Sequence, residues 1–370
     1  MCWRSQDTSE FCFSTSPEHR RGLGEIGRGG GRGVLLHAMI AVEAETSGVL
    51  GLVAVRIWTR AGRITVHHDG RPLEDQESER SLSTATAAKA VLGKAAMVTE
   101  VSDREADLYA KWASLPEANF HLLTRATHDR AMAGGGRLSS PTLTEGGTAK
   151  VEVRARAGRP APTAHLAVRF GEVVLKRPGT QPDKSLAETV TLRLVEVREV
   201  DPPPGAEPIM WRLLTTHEVT DAAMAWRIVG WYRQRWIIEQ VFRTLKQQGL
   251  RLEDSQLEDA GRLIKLVAIA ARAAAIIMQM VQARDGTSRQ DAAIAFSPPE
   301  VEVLAALLPR LEGKTALQKN PHPPRSLAWA AWIIAKLGEW DGYPTSQSHP
   351  AQSHSDTASN TSDPSHKDGA

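Results

Sequence analysis

The segment from 226 to 251, WRIVGWYRQRWIIEQVFRTLKQQGLR, sets six cationic side chains, Arg227, Arg233, Arg235, Arg243, Lys246 and Arg251, against one acid, Glu239. At about 100° per residue of an α-helix, Tyr232, Arg235, Glu239, Arg243 and Lys246 fall within about 40° of one line. The opposite stripe, Ile228, Trp231, Ile238, Val241, Phe242 and Leu245, is apolar and must pack on a core. An ordinary amphipathic helix, its Glu239 steadied by arginines four residues to either side, accounts for this pattern. A phosphate-facing surface accounts for it equally well. There the bases would bind a DNA backbone and the carboxylate would hold a metal ion between phosphate oxygens. Helix physics leaves both readings open.

The elements around this helix must decide where Glu239 points. IMWRLLTT at 209 to 216 predicts a strand feeding a helix from about 220 to 248, with Gly249 at a plausible C-cap position. Near the start, VLLHAMIAVEA and GVLGLVAVRIW flank the turn-like ETSG and predict a buried antiparallel hairpin. Residues 15 to 33 end in GRGGGRG and predict a loop. Without a following Gly-Lys-Ser/Thr, that run is a flexible turn rather than a phosphate cradle. A helix is expected at about 76 to 92, then a short strand over Ala96 to Val101 that ends at Asp103. A helix over DREADLYAKWASL and a strand near His121 to Arg125 come next. From about 128 to 207, VEVRARAG, HLAVRFGEVVL and VTLRLVEVREV predict a small β-rich insertion closed by DPPPGAEP. Residues 261 to 338 read as all-helical. The tail from Thr345 is polar and predicted disordered, its histidines lacking ligand spacing.

Composition bounds the partners. The chain has 370 residues, 41% of them hydrophobic, which is enough to bury a core. Lys and Arg number 45 against 43 Asp and Glu, so the net charge of +2 does not by itself announce a nucleic-acid binder. Local clustering has to carry that claim. Cys2 and Cys12 alone exclude a disulfide framework and a thiolate zinc site and fit a reducing cytoplasm. No secretory leader pattern opens the chain, and no run reaches about 18 consecutive apolar residues. The nearest, Leu263 to Val281, carries Lys265 and Arg272 and reads as a core helix, so no membrane partner is expected.

Written as a pattern, the cationic stripe is Tyr232-x2-Arg235-x3-Glu239-x6-Lys246, four fixed residues over fifteen positions. This resembles the YREK signature of the IS-four family of DDE transposases. SDREADLY at 102 to 109 is similar to the family's segment around its second catalytic aspartate, which falls on Asp103. QDTSEF at 6 to 11 is similar to its first-aspartate segment, usually QDTT, which falls on Asp7. The resemblance implies an α/β, RNase H-like mixed sheet flanked by helices, with a β-rich insertion and a C-terminal helical region. The implied division is 1–127 and 208–250 for the catalytic core, 128–207 for the insertion, 251–343 for the helical region and 344–370 for the tail. It implies that Asp7, Asp103 and Glu239 are catalytic and bind two Mg²⁺ ions, with Mn²⁺ able to substitute. Such ions supply an activated water and a stabilised leaving oxygen when roughly 3.5 to 4 Å apart, and carboxylates suit hard cations. Water and then the freed 3′-hydroxyl act as successive nucleophiles, and no side chain attacks.

The same resemblance sets Tyr232, Arg235, Lys246 and Arg243 on phosphates of double-stranded DNA, at transposon ends and target. It offers Arg125 as a further backbone contact and Trp211 as a platform for a flipped base, worth roughly 1 to 3 kcal/mol. It implies a homodimer bridging two ends, acting on bacterial nucleoid DNA with no small-molecule substrate. Glu105 and Asp107 read as acids enriched at a helix start, and His67 and His68 as residues of a polar turn. Only MCWRSQ precedes Asp7, so truncation at the N-terminal end is an expectation. With it stands an alternative, a catalytically impaired remnant that binds DNA or dimerises without cutting.

Overall fold

The computed structural model describes residues 2–13, 22–27, 31–60, 77–153, 163–247 and 249–340. His67, His68 and the tail from Thr345 lie outside them, as do parts of the predicted loop at 15 to 33 and most of VEVRARAG. Ten strands are described: β1 (Cys2–Cys12), β2 (Gly24–Ile26), β3 (Gly31–Glu43), β4 (Val49–Trp58), β5 (Val98–Ser102), β6 (Phe120–Arg125), β7 (Thr144–Glu152), β8 (Thr163–Lys176), β9 (Thr189–Val200) and β10 (Met210–Thr215). Seven α-helices accompany them: α1 (Glu77–Val91), α2 (Tyr109–Ser114), α3 (Ala222–Arg233), α4 (Ile237–Lys246), α5 (Ala260–Ala283), α6 (Pro298–Leu311) and α7 (Leu327–Leu337).

The strands form one mixed sheet in the order β2-β3-β1-β5-β6-β10-β9-β8-β7, with β4 also on β3. β4, β3 and β1 are antiparallel neighbours, while β5 runs parallel to β1 and β6 parallel to β5. This antiparallel trio continued by two parallel strands, flanked by helices, is the expected RNase H-like α/β arrangement. β5 is buried along its whole length and β6 over most of its own, with Thr99, Glu100 and Ser102 of β5 and Thr124 of β6 polar residues within them. One face of the centre carries Val98, Phe120, Leu122 and Leu214, packed with Ala85 of α1 and with Trp112 and Leu115 in and beyond α2.

Four expectations change in detail. The glycine-rich end of the predicted loop is the start of β3, because Gly33 lies against the backbone of β1: a Cβ there would sit 1.9 Å from the Phe11 carbonyl oxygen. The glycines permit close approach rather than flexibility. The helix expected over DREADLYAKWASL is a 3₁₀ turn at Arg104–Ala106 followed by the six-residue α2. Asp107 ends that turn because its carboxylate is engaged elsewhere, accepting from the Thr127 and His128 amides and from Arg130. The acid-rich helix start is therefore the wrong account of Asp107, which ties the chain after β5 to the chain after β6. The insertion strands are no separate sheet, since β10 pairs antiparallel with both β6 and β9 and so extends the central one. Finally, the helix expected from 220 to 248 is α3 and α4 joined by a 3₁₀ turn at Gln234–Trp236.

The chain divides into two compact units, Met1–Arg272 and Ala273–Ala370, so the boundary falls inside α5 rather than near residue 250. By length and composition α5 could cross a membrane, and a third of its most apolar window is buried. The core-helix reading holds for one face only: Leu263, Val267, Ala270, Ala271 and Ala274 are buried, while Arg262, Lys265, Ile269 and Arg272 are exposed. In the second unit, α6 and α7 enclose a tryptophan-rich core of Val301, Leu304, Trp329, Trp332, Ile333 and Trp340.

Beneath α3, His217 stacks on His121 with ring centroids 3.9 Å apart, and its Nε2 lies 2.7 Å from Thr99 Oγ1. Burial, with the neighbouring His121 adding to it, drives the His217 pKa from 6.5 down to about 3. The unfolded chain therefore takes up a proton that the folded chain refuses. The stability involved is present above pH 6.5 and is lost as pH falls towards 3. Between pH 7 and pH 5 the loss amounts to about 2 kcal/mol. Urea denaturation of His217→Gln at those two pH values is expected to show a smaller acid loss than wild type by about that amount. Equal losses would mean that the ring accepts its proton in place.

Candidate active site

The register of the sheet brings the first two acids together. In the parallel pair of β1 and β5, Ser5 stands opposite Val101. Two residues further along each strand come Asp7 and Asp103, level with each other and, by strand alternation, on the same face. Each carboxylate is steadied locally: Asp7 Oδ1 accepts from the Thr8 amide at 2.8 Å, and Asp103 Oδ1 accepts from the Arg104 amide at 2.8 Å. β1 is clamped on its other edge by β3, where Asp7 stands opposite Ala38.

The third acid arrives on the helical side. Ile228, Trp231, Ile238, Val241, Phe242 and Leu245 are all buried, so the apolar stripe docks α3 and α4, and α4 packs against β1. The polar stripe is thereby turned toward the ends of β1 and β5. Tyr232 donates its hydroxyl to Asp103 Oδ1 at 3.1 Å. Arg235, in the 3₁₀ turn, places Nη1 3.5 Å from Asp7 Oδ2 and Nη2 3.2 Å from Asp103 Oδ2 and 3.4 Å from Glu239 Oε1. Three carboxylates separated by 232 positions of sequence are thus gathered around one guanidinium.

The electrostatics follow from this crowding. Burial raises the Asp7 pKa; the Thr8 amide and Arg235 oppose that shift, and Glu239 and Asp103 reinforce it. Desolvation pulls on the Arg235 charge, but Asp103, Tyr232, Asp7 and Glu239 outweigh it and hold the guanidinium protonated. Burial, helped by the neighbouring Asp103, pushes Tyr232 up to about 12, so it is a hydrogen-bond donor and not a base near neutral pH. As a donor set, three carboxylates offer only hard, anionic oxygen and fit a hard divalent cation by chemistry. As placed, no three acidic, His or Cys side chains among the described residues form a ready ligand cage; the three acids meet through the Arg235 guanidinium.

Beside the acids opens a cleft of about 1200 Å³. Of the residues singled out in the sequence, Asp103, Glu239, Arg235, Tyr232, Arg125 and Trp211 line it. Trp211 meets the Tyr232 ring edge-on at 5.5 Å, and Arg125 is oriented by the Met210 carbonyl at 3.0 Å. Arg243 and Lys246 do not belong to this lining: Arg243 is exposed on α4, and the Lys246 ammonium sits 5.2 Å over the Phe11 ring. Both keep the Glu239 line, but four and seven residues further along α4, about 6 and 10 Å along the helix axis, which carries them beyond the cleft. Sequence reasoning passed over Arg104, His128, Arg212 and Trp236 and gave Arg233 no site role, yet all five also line the cleft. Arg233 and Trp236 were legible in WYRQRW, beside Tyr232 and Arg235; Arg212 and His128 carry no signal until β10 pairs with β6.

Comparison with known proteins adds two findings. The fold aligns with a cryo-EM structure of the piggyBac transposase synaptic complex with hairpin DNA over 99% of this chain, at 9% identity and a TM-score of 0.40. The chain spans 59% of that protein's length. Residues 104–276 match the family model described as Transposase DDE domain, a stretch that takes in Tyr232, Arg235, Glu239 and Lys246 and begins one residue after Asp103.

Proposed function

We propose that this chain is a DNA transposase of the IS-four type, cutting and rejoining DNA at the ends of an insertion sequence with Asp7, Asp103 and Glu239 as its metal ligands. One observation carries the reading: these three acids, chosen by sequence pattern, lie within 3.5 Å of a single cationic group at the end of the parallel strands. Bound divalent ions, Mg²⁺ or Mn²⁺, would supply an activated water and a stabilised leaving 3′-oxygen. The chain itself orients and excludes. Tyr232, protonated across the working pH range, fixes Asp103 through its hydroxyl. Arg125, Arg104 and Arg212 line the cleft as cations for backbone phosphates, and Trp211 offers a face on which an unstacked base can rest. Lys246 and Arg243 would serve DNA beyond the cleft, and a dimer would bring two ends together.

The reading is tested with purified protein and a duplex carrying the ends of the element that encodes it. Nicking is expected with Mn²⁺ and none with EDTA; Mn²⁺-independent nicking, or none under either condition, counts against it. Salt dependence gives a separate check on Arg125. If that side chain neutralises one phosphate, Arg125→Ala should reduce the slope of log affinity against log salt by about 1, whatever the duplex sequence. An unchanged slope would leave Arg125 only its bond to the Met210 carbonyl.

A further inference from the structure

We propose that Arg235 is a placeholder cation, its guanidinium holding Asp7, Asp103 and Glu239 in position until a divalent ion takes their oxygens and displaces it. This rests on the metal-ligand reading of those acids and adds to it a step that belongs to the chain itself.

The geometry is that of an exchangeable contact. Charge-assisted nitrogen to carboxylate bonds close to about 2.7 to 2.9 Å, and a locked arginine grips one carboxylate with both arms. Arg235 spreads over three different acids instead, with contacts of 3.2 Å to Asp103, 3.4 Å to Glu239 and 3.5 Å to Asp7, each longer than that range. A single guanidinium also leaves much of the negative charge of three carboxylates uncompensated, which a divalent ion would neutralise more fully. Such an ion binds carboxylate oxygen at about 2.0 to 2.1 Å, closer than the guanidinium stands to any of the three, and held among these oxygens it would be set against a like charge at short range. Asp103 and Glu239 are more than a third exposed and face the cleft, which gives an ion its approach. Arg235 lines the same cleft, so the displaced guanidinium meets a phosphate there if one is seated. In the absence of DNA the ion has to compete with the arginine.

Manganese binding to protein stripped with EDTA, followed by the EPR signal of free Mn²⁺ and without DNA, tests this. Arg235→Gln should bind Mn²⁺ about tenfold more tightly than wild type. Mn²⁺ should also raise its melting temperature by more than it raises that of wild type. Arg235→Lys, whose point charge cannot span three acids, should fall between the two and serves if the glutamine variant does not fold. Asp103→Asn should lose the binding in either background. Equal or weaker binding by both Arg235 variants, with Asp103→Asn still abolishing it, would overturn the placeholder role and leave the metal site standing. Binding indifferent to Asp103 would overturn the metal site and this inference with it.

Discussion

Asp103→Asn is expected to lower Mn²⁺-dependent nicking by about a thousandfold while leaving the melting temperature within a few degrees of wild type. The rate effect follows from removing an anionic ligand at an ion that contributes several kcal/mol of transition-state stabilisation. The stability effect is small because asparagine keeps an Oδ1 that can accept from the Arg104 amide and the Tyr232 hydroxyl, as Asp103 does. The neighbouring Asp107 provides the contrast. Its buried carboxylate accepts from two backbone amides and from Nε and Nη2 of Arg130, so Asp107→Asn should cost stability first. An Asp103 variant that nicks at the wild-type rate would remove Asp103 from the chemistry. One that unfolds would make it a structural acid.

The largest effect on stability is expected at the back of the same strand. Lys111 of α2 reaches under β5 to Glu100, and both side chains are all but inaccessible to solvent. Removing the ammonium alone leaves a carboxylate desolvated without its counter-charge. Lys111→Met should therefore destabilise by about 3 to 5 kcal/mol. Replacing both partners in Glu100→Leu/Lys111→Met removes the charge as well, and the double variant should recover most of that loss or all of it. Urea denaturation of the single and double variants at pH 7 decides the matter. A double variant as unstable as the single would show that packing around Lys111, not the ion pair, sets the cost.

The central elements of the fold were legible because their signals are local. The β3 and β4 hairpin, β5, β6 and β10 all announce themselves as apolar runs bounded by turn residues, and the strands fall where those runs lie. Glu239 was singled out by the Tyr232-x2-Arg235-x3-Glu239-x6-Lys246 resemblance, since helix physics alone left an ordinary amphipathic helix equally open. What sequence could not supply was the consequence of pairing. Nothing local says that β7, β8 and β9 extend the central sheet through β10, nor that Arg212 thereby reaches the cleft wall. The 3₁₀ turn at 234–236 was hidden for a different reason: Gln234, Arg235 and Trp236 have ordinary helix propensity, so nothing local marks the tightening. Arg235 stands one turn before Glu239 and reaches the acids, while Arg243 and Lys246, on the same projected line, lie one and two turns beyond it along α4. The role of Asp107 was misread because an acid at a helix start is usually a dipole partner, and its actual bonds to residues 127, 128 and 130 cross between two strands.

The claim on which the rest depends is that Asp103 ligates a metal ion during DNA cleavage. Asp103→Cys addresses it without disturbing the strand, because thiolate is a soft ligand that Mg²⁺ tolerates poorly and Mn²⁺ accepts more readily. The variant should nick element-end DNA with Mn²⁺ and fail with Mg²⁺, whereas wild type nicks with both. Equal activity of Asp103→Cys in the two metals would contradict direct ligation by this side chain.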